Sequence, residues 1–287
     1  MNPQVDSSVQ NPLLARVKIP GRIFQLPSAG IFYKNGELAE GIENGEVHVH
    51  PMTALDEIHM KNPDMLFSGK AISIVFRHCI PEIKKPEELF AKDIDALMVF
   101  LRAVTYGPQY EIEATHDCDE AKNHTYVVDV DGMIGAMVNL SQQTIDEKYT
   151  LTLENGQVIK MQPIRYKHVL QLLKMNENKR ELTVEDQEKN LITNLLNVIE
   201  SVDGISDKKQ ITEWIRAISP RMMDQLAKSI DDSQNWGPQT TKKVVCKDCG
   251  EEYTIEIPIN PISFFFVWLE VVEWSVCNPI LHSLAGK

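Results

Sequence analysis

Two short segments that carry possible metal ligands lie more than a hundred residues apart in this chain, and they constrain the fold more than any other feature. The first begins at Cys118 and includes His124, and the second is Cys246-Lys247-Asp248-Cys249. Each leads into a stretch where polar and apolar residues alternate, which is typical of a β-strand. If both segments bind one ion, the middle of the chain and its C-terminal part must meet in one compact body.

The second segment has the chemistry of a zinc knuckle. Two cysteines separated by two residues can point both thiolates at one ion, and Gly250 allows the positive φ that turns the chain away from the metal. The same spacing occurs in redox proteins, but there it opens a helix within a βαβ unit, whereas here a strand pattern follows. The residues therefore favour zinc over redox chemistry at Cys246 and Cys249.

The first segment is less specific, because it offers one cysteine, one histidine and an alternative imidazole at His116. Together with the cysteine pair, it would complete a closed four-coordinate site, so the expected zinc ion is structural. The predicted ligands are Cys118, His124, Cys246 and Cys249. Two alternatives stay open, namely that the unit folds without a metal and that Cys118 is simply a buried thiol.

The rest of the chain predicts an α+β protein with a small β-rich first region, helical bundle-like segments and a zinc-ribbon-like β unit formed by the two separated knuckles. Asn155-Gly156 lies between two alternating stretches, so a β-hairpin is predicted over 149–161. Apolar residues at helical spacing after Pro86 predict the clearest helix, over 87–106. By the same criteria, with Thr53, Ser206 and Ser219 as N-caps, further helices are predicted over 53–62, 70–80, 165–174, 184–202, 207–218 and 221–230.

These elements divide the chain into successive regions. They are a mobile arm at 1–15, a β-rich and then helical region at 16–110, the first knuckle and β-hairpin at 111–164, a helical module at 165–232, the second knuckle and strand at 233–262, and an apolar C-terminal segment at 263–287. A shared ion would make the helical module an excursion between the two knuckles.

The segment from Phe264 to Cys277 is the most apolar part of the chain. It falls short of the roughly 20 apolar residues that a membrane-spanning helix needs, and two glutamates interrupt it, so membrane contact is not expected. It carries too many apolar groups for one side of a surface helix, and an uncovered patch of this kind would cause aggregation. We predict that it binds a partner, with the helical module as the alternative cover. The predicted contact residues are Phe264, Phe265, Trp268 and Trp274.

Charge and motif content exclude several classes of function. The formal net charge is −12 and acidic residues surround both knuckles, so the chain should repel nucleic acid phosphates. Phosphate-binding loops and nucleophile motifs are missing from the sequence. We therefore expect that the protein is not an enzyme and has no small-molecule substrate. His78 and Cys79 are adjacent on a predicted helix, so their side chains should diverge. Five cysteines without a secretion signal predict reduced thiols in a non-secreted protein.

Several short motifs resemble, in their order, the baseplate proteins of T-even-type contractile phage tails. These motifs are Leu26–Tyr33, Val49–Glu57, Lys92–Gly107 and Ile257–Pro261, and the likeness covers most of residues 19–265. The resemblance implies a structural or assembly component of the baseplate hub, with other phage baseplate or tail proteins as partners, made in the host cytoplasm and carried in the virion tail. The alternative is an acidic zinc-ribbon adaptor for a polymerase or other nucleic-acid machinery, which the acidic knuckles disfavour.

Overall fold

Helices alternate with small antiparallel sheets in the computed structural model, which describes residues 19–34, 36–118, 122–176, 182–259 and 264. The predicted α+β class is therefore confirmed. The predicted arm at 1–15 lies outside the described residues. Among the described helices, none combines the length and the apolar character that a membrane crossing requires.

The strands pair only with antiparallel neighbours, as β1 with β2, β3 with β4, β5 with β6 and β7, and β8 with β9. The strands are β1 Arg22–Gln25, β2 Glu46–Val49, β3 Gln109–Thr115, β4 Asn123–Asp129, β5 Thr150–Thr152, β6 Val158–Met161, β7 Ile199–Val202, β8 Thr241–Val245 and β9 Glu252–Glu256. The α-helices are α1 Ala54–Met60, α2 Pro63–Phe67, α3 Lys70–Cys79, α4 Ala91–Tyr106, α5 Val130–Gly135, α6 Gln142–Lys148, α7 Tyr166–Asn176, α8 Val184–Val198, α9 Lys208–Ala217 and α10 Pro220–Ser233.

Local signals in the sequence located most of these elements. The hairpin of β5 and β6 turns at Asn155-Gly156, where Gly156 has the predicted positive φ of 84°. Thr53 caps α1 in a capping box with Asp56, and Ser219 caps α10. These predictions are confirmed because each depends on contacts within a few residues.

Two boundaries were predicted wrongly, because distant parts of the chain decide them. The predicted helix over 184–202 ends at Val198, since Ile199–Val202 leaves it to form β7 on the edge of β6. The predicted helix over 87–106 begins only at Ala91, whose N–H bonds the carbonyl of Ile164 at 2.9 Å. A third, smaller error is the cap of α9, which is Asp207 in place of Ser206.

Helix α4 belongs to the first of two hydrophobic clusters, and Phe90, which directly precedes the helix, belongs to the second. The first core packs β1 to β4, α1 and α3 against α4 residues such as Ile94 and Leu97. The second core combines α6, β5 to β7 and the later helices, with Phe90 at the start of α4 and the buried Trp236. Residues 96–101 are all apolar and buried, so apolar side chains cover almost every side of α4, as expected for a helix inside a protein.

A buried carboxylate joins α4 to the loop that follows β1. Asp93 accepts hydrogen bonds from the backbone N–H of Ser28 at 3.1 Å and from the hydroxyl of Tyr33 at 2.6 Å. The Tyr33 oxygen in turn accepts the N–H of Phe90 at 2.9 Å, which is one of the unpaired donors at the helix N-terminus. Burial raises the pKa of Asp93 to about 6, against its usual 3.8. The network therefore holds a charge that is costly to form.

This loop also requires two glycines where backbones cross. Gly30 and Gly45 both have positive φ, and a Cβ on Gly45 would lie 2.7 Å from the nitrogen of Gly30. The N–H of Leu26 bonds the carbonyl of Gly45 at 2.9 Å across the same crossing. Only residues without a side chain allow this approach.

We expect Tyr33→Phe to lower the free energy of unfolding by about 1–3 kcal/mol, because it leaves the Phe90 N–H without a partner and removes the Tyr33 hydroxyl from the buried Asp93 carboxylate, which then keeps only its bond from Ser28. The pKa of Asp93 is raised on folding, so stability from this group falls as pH rises from its unfolded pKa through about 6. The loss in the variant should therefore be larger at about pH 8, where the carboxylate is charged, than at about pH 4.

Urea denaturation at both pH values measures this difference. Tyr106→Phe is the matched control, since its hydroxyl bonds Glu57 on a partly exposed surface and should contribute little. An equal loss at both pH values would show that the charge on Asp93 plays no part.

Candidate metal centre

Two separate hairpins carry the predicted ligands on their loops. Strands β3 and β4 pair from Gln109 opposite Asp129 to Thr115 opposite Asn123, and the ligand-bearing loop follows directly. Strands β8 and β9 pair up to Val245 opposite Glu252, so the Cys246–Cys249 turn closes the second hairpin. Each ligand segment therefore lies at the end of its own hairpin.

The two loops bring four possible ligand side chains together. His116, Cys118, Cys246 and Cys249 offer ligand atoms that all lie within 4.8 Å of one another, and we call them the Cys/His group. The Sγ of Cys249 lies 3.3 Å from Nδ1 of His116. Cys246 is buried, Cys249 is exposed, and the other two are intermediate. The structure thus assembles three of the four predicted ligands, from segments that are distant in sequence.

The fourth predicted ligand, His124, does not belong to this group. Its side chain comes from β4, where its Nε2 lies 2.6 Å from Oδ2 of Asp248. The alternative imidazole, His116, takes the remaining position because it lies in the loop just beyond β3, with its ring 4.5 Å from that of Tyr253. Sequence spacing could not separate the two histidines, since both flank Cys118.

The second loop favours the thiolate of Cys246, whereas the pKa of Cys249 is raised, because the hydrogen bond from the backbone of Glu251 is outweighed by desolvation together with the neighbouring thiols of Cys246 and Cys118. The N–H of Cys249, followed by that of Asp248 and the side chains of Cys249 and His116, lowers the pKa of Cys246 to about 6. Gly250 has the predicted positive φ of 78°, and its N–H bonds the carbonyl of Cys246 at 3.0 Å. Three thiols and one imidazole in a tight group fit a tetrahedral zinc site or another borderline soft cation.

A second group was missed by sequence reasoning. His78 and Cys79 were expected to diverge, and this was wrong, because both reach Asp56 across α1 and α3. The His78 Nδ1 lies 2.8 Å from Asp56 Oδ2, which also accepts the N–H and hydroxyl of Thr53 in the capping box. Burial, assisted by the charge of Asp56, raises the pKa of Cys79 to about 12. Its thiol therefore stays protonated, and the group acts as a helix cap.

Of the four predicted partner-binding residues, only Phe264 is among the residues that the structure describes. Phe264 is fully buried in the first core, where its ring meets Tyr110 edge to face at 4.9 Å. The Nη1 of Arg102 donates to the carbonyl of Phe264. Phe264 is thus a core residue of this chain, and a partner cannot contact its side chain. The other predicted contacts, Phe265, Trp268 and Trp274, lie outside the described residues.

Comparison with known proteins adds one finding. Residues 42–267 match the model of a family described as "T4 bacteriophage base plate protein". The match includes both ligand-bearing loops and Phe264. No curated protein and no solved structure matches the chain.

We expect Cys79 to resist alkylation in the folded, chelator-treated protein while Cys249 reacts. At about pH 8, a pKa of about 12 leaves roughly one Cys79 thiolate in ten thousand, and only the thiolate is nucleophilic. Cys249 is exposed and serves as the internal control in the same sample. Peptide mass spectrometry after iodoacetamide measures both, and in urea both should label. Rapid labelling of Cys79 without urea would contradict the assignment.

Proposed function

The chain belongs to the T4 bacteriophage base plate protein family, and we propose from this that it acts in the hub region of a contractile phage tail, as a structural or assembly component. The observation that carries the proposal is the family match over residues 42–267. Membership makes the protein a phage baseplate component whose partners are other tail proteins. Its work would be interface burial in the host cytoplasm during assembly and then in the virion tail.

The chemistry of the described residues supports a structural role. The Cys/His group presents four side chains, which would leave no open position on a tetrahedral ion for a substrate. The remaining clustered thiol, Cys79, is buried and protonated. The alternative, an acidic zinc-ribbon adaptor for nucleic-acid machinery, is not favoured by the family. Acidic side chains at Asp248, Glu251 and Glu252 also argue against contact with phosphates.

A structural zinc ion is part of the proposal. It would be held by the Cys/His group, with His116 in the position that the sequence assigned to His124. The support is the mutual distance of the four ligand atoms and the low pKa of Cys246. Zinc would tie the β3–β4 hairpin to the β8–β9 hairpin, and the binding free energy would contribute to folding.

We expect the purified protein to hold about one zinc ion per chain. Cys249→Ser should lose most of this zinc and melt at a lower temperature, because one thiolate ligand is gone. Elemental analysis and thermal melting, each with and without a chelator, measure these effects. Val245→Ser is the control, since it changes an exposed residue directly before Cys246 and leaves all four side chains of the group intact. A wild-type protein without zinc, whose melting is unchanged by chelation, would remove this part of the proposal.

The C-terminal segment is proposed to bind a neighbouring tail subunit. Its sequence is rich in large aromatic residues, which often anchor interfaces, and Trp268 and Trp274 are the proposed anchors. Phe264 supports the proposal in a different way, because its core contacts set where a partner-binding segment would begin. The proposed element is therefore 265–287, two residues shorter than the segment 263–287 predicted from the sequence.

We expect a protein that ends at Phe264 to stay folded but to fail to join tail assemblies. A protein that ends at residue 263 is the matched control, and it should be much less stable because it also loses a buried phenylalanine, a change that costs about 3–5 kcal/mol. Thermal melting separates the two truncations, and co-purification with baseplate intermediates from infected cells measures assembly. Unfolding of the longer protein would show that 265–287 covers the protein's own surface, and normal assembly would show that no partner needs it.

A further inference from the structure

A second set of contacts joins the two ligand-bearing loops without using a metal ligand. His124 on β4 meets Asp248 at 2.6 Å, and the Nζ of Lys247 donates to the carbonyl of Thr125 at 2.7 Å. The backbone N–H of Lys122 also bonds the carboxylate of Asp248. All three contacts run between the Cys246–Cys249 turn and the chain around the start of β4.

Partial burial makes the central contact effective. The side chain of His124 is 19% exposed and that of Asp248 is 11% exposed, so water competes little for either group. A short hydrogen bond that involves a carboxylate is stronger than one between neutral groups. Beside it, the hydroxyl of Tyr126 donates to the carbonyl of Val245 at 3.4 Å, and the hydroxyl of Tyr253 donates to Tyr126 at 3.1 Å.

The place of Asp248 in the turn gives this contact its consequence. Asp248 lies between Cys246 and Cys249, so fixing its carboxylate fixes the turn that carries both thiols. His124 on β4 pairs with Ala114 on β3, and Ala114 lies two residues before His116. The β3–β4 pairing therefore fixes His124 relative to the first loop. Core packing joins the two hairpins, and the His124–Asp248 contact fixes the orientation of the Cys246–Cys249 turn relative to the first loop.

We propose that His124 and Asp248 are positioning residues that hold the Cys246–Cys249 turn in its ligand-binding arrangement before zinc arrives, an inference that rests on the proposed zinc site. Core packing of Tyr126 with Val244 and Ile255 already brings the two hairpins together. Without the His124–Asp248 contact, zinc binding itself would have to order the Cys246–Cys249 turn against the first loop, and fixing backbone and side chains costs conformational entropy. With it, zinc meets four ligands that are already close together.

The zinc affinity of the full-length protein tests the proposal, measured by competition with a chelator of known affinity. Asp248→Ala and His124→Ala should weaken binding by about 10–100-fold, as is typical when a partner outside the ligand set is lost. Asp248→Asn keeps an acceptor and His124→Gln keeps a donor, so both should recover most of the affinity. Asp131→Ala is the control, because it removes an exposed ion pair with Arg22 at the other end of the hairpin.

The cobalt(II) spectrum separates positioning from ligation. All positioning variants should keep the wild-type absorption of a tetrahedral site with three thiolates, because His116 and the cysteines are intact. A changed spectrum in His124→Ala would show that His124 is a ligand, which overturns the proposal. Lys247→Ala tests the same turn with a small risk of unfolding, because it removes only an exposed side chain. It should also weaken zinc binding, because it removes the bond to the carbonyl of Thr125.

The outcomes distinguish the inference from the site on which it rests. Wild-type affinity in Asp248→Ala, His124→Ala and Lys247→Ala overturns the positioning role and leaves the zinc site standing. A wild-type protein that binds no zinc overturns the site, and the inference with it.

Discussion

The buried carboxylate of Asp93 is the interaction on which the rest of the structure depends. It fixes the start of α4 against the loop after β1, at the point where the two hydrophobic cores meet. The far end of the same helix leads through Gly107 into β3 and so places the first ligand-bearing loop. Arg102, also on α4, holds the carbonyl of Phe264. One helix thus orients both the Cys/His group and the start of the C-terminal segment.

Similar residue types have opposite chemical character in the two Cys/His clusters, because their surroundings differ. Cys79 is buried beside a carboxylate, and both conditions disfavour a second negative charge, so its pKa rises to about 12. Cys246 is also buried, but backbone N–H groups of its own turn point at the sulfur, so its pKa falls to about 6. Donor geometry, more than burial, decides which thiol is prepared for a cation.

The baseplate role and the strongly acidic composition agree physically. A net charge of −12 repels other copies of the chain and phosphate backbones electrostatically, while apolar surface at particular places can still join subunits. In the described part of the chain, most large apolar residues pack in two cores. The aromatic segment after Phe264 is the proposed contact with a neighbouring tail subunit. The proposed zinc ion would join the β3–β4 hairpin to the β8–β9 hairpin and so make the part of the protein that precedes this segment more rigid. A closed zinc site of this kind would have a structural role.

The sequence by itself determined the features that depend on neighbours a few residues away. The Asn155-Gly156 hairpin, the caps at Thr53 and Ser219, the turn at Gly250 and the α+β class all follow from local steric and hydrogen-bonding preferences. The close approach of Cys246 and Cys249 belongs with them, because both cysteines lie on one turn.

Only the tertiary structure decided where distant parts of the chain meet. It placed His116 in the Cys/His group and turned His124 toward Asp248, although both histidines lie within a few residues of Cys118 in sequence. It ended α8 at Val198, where the following residues pair with β6 as strand β7. In sequence, these residues are equally compatible with another helical turn. It also buried Phe264, whose contacts with Arg102 and Tyr110 span more than 150 residues of chain. Spacing along a sequence carries no information about such pairs, because their free energy depends on distances that exist only after folding.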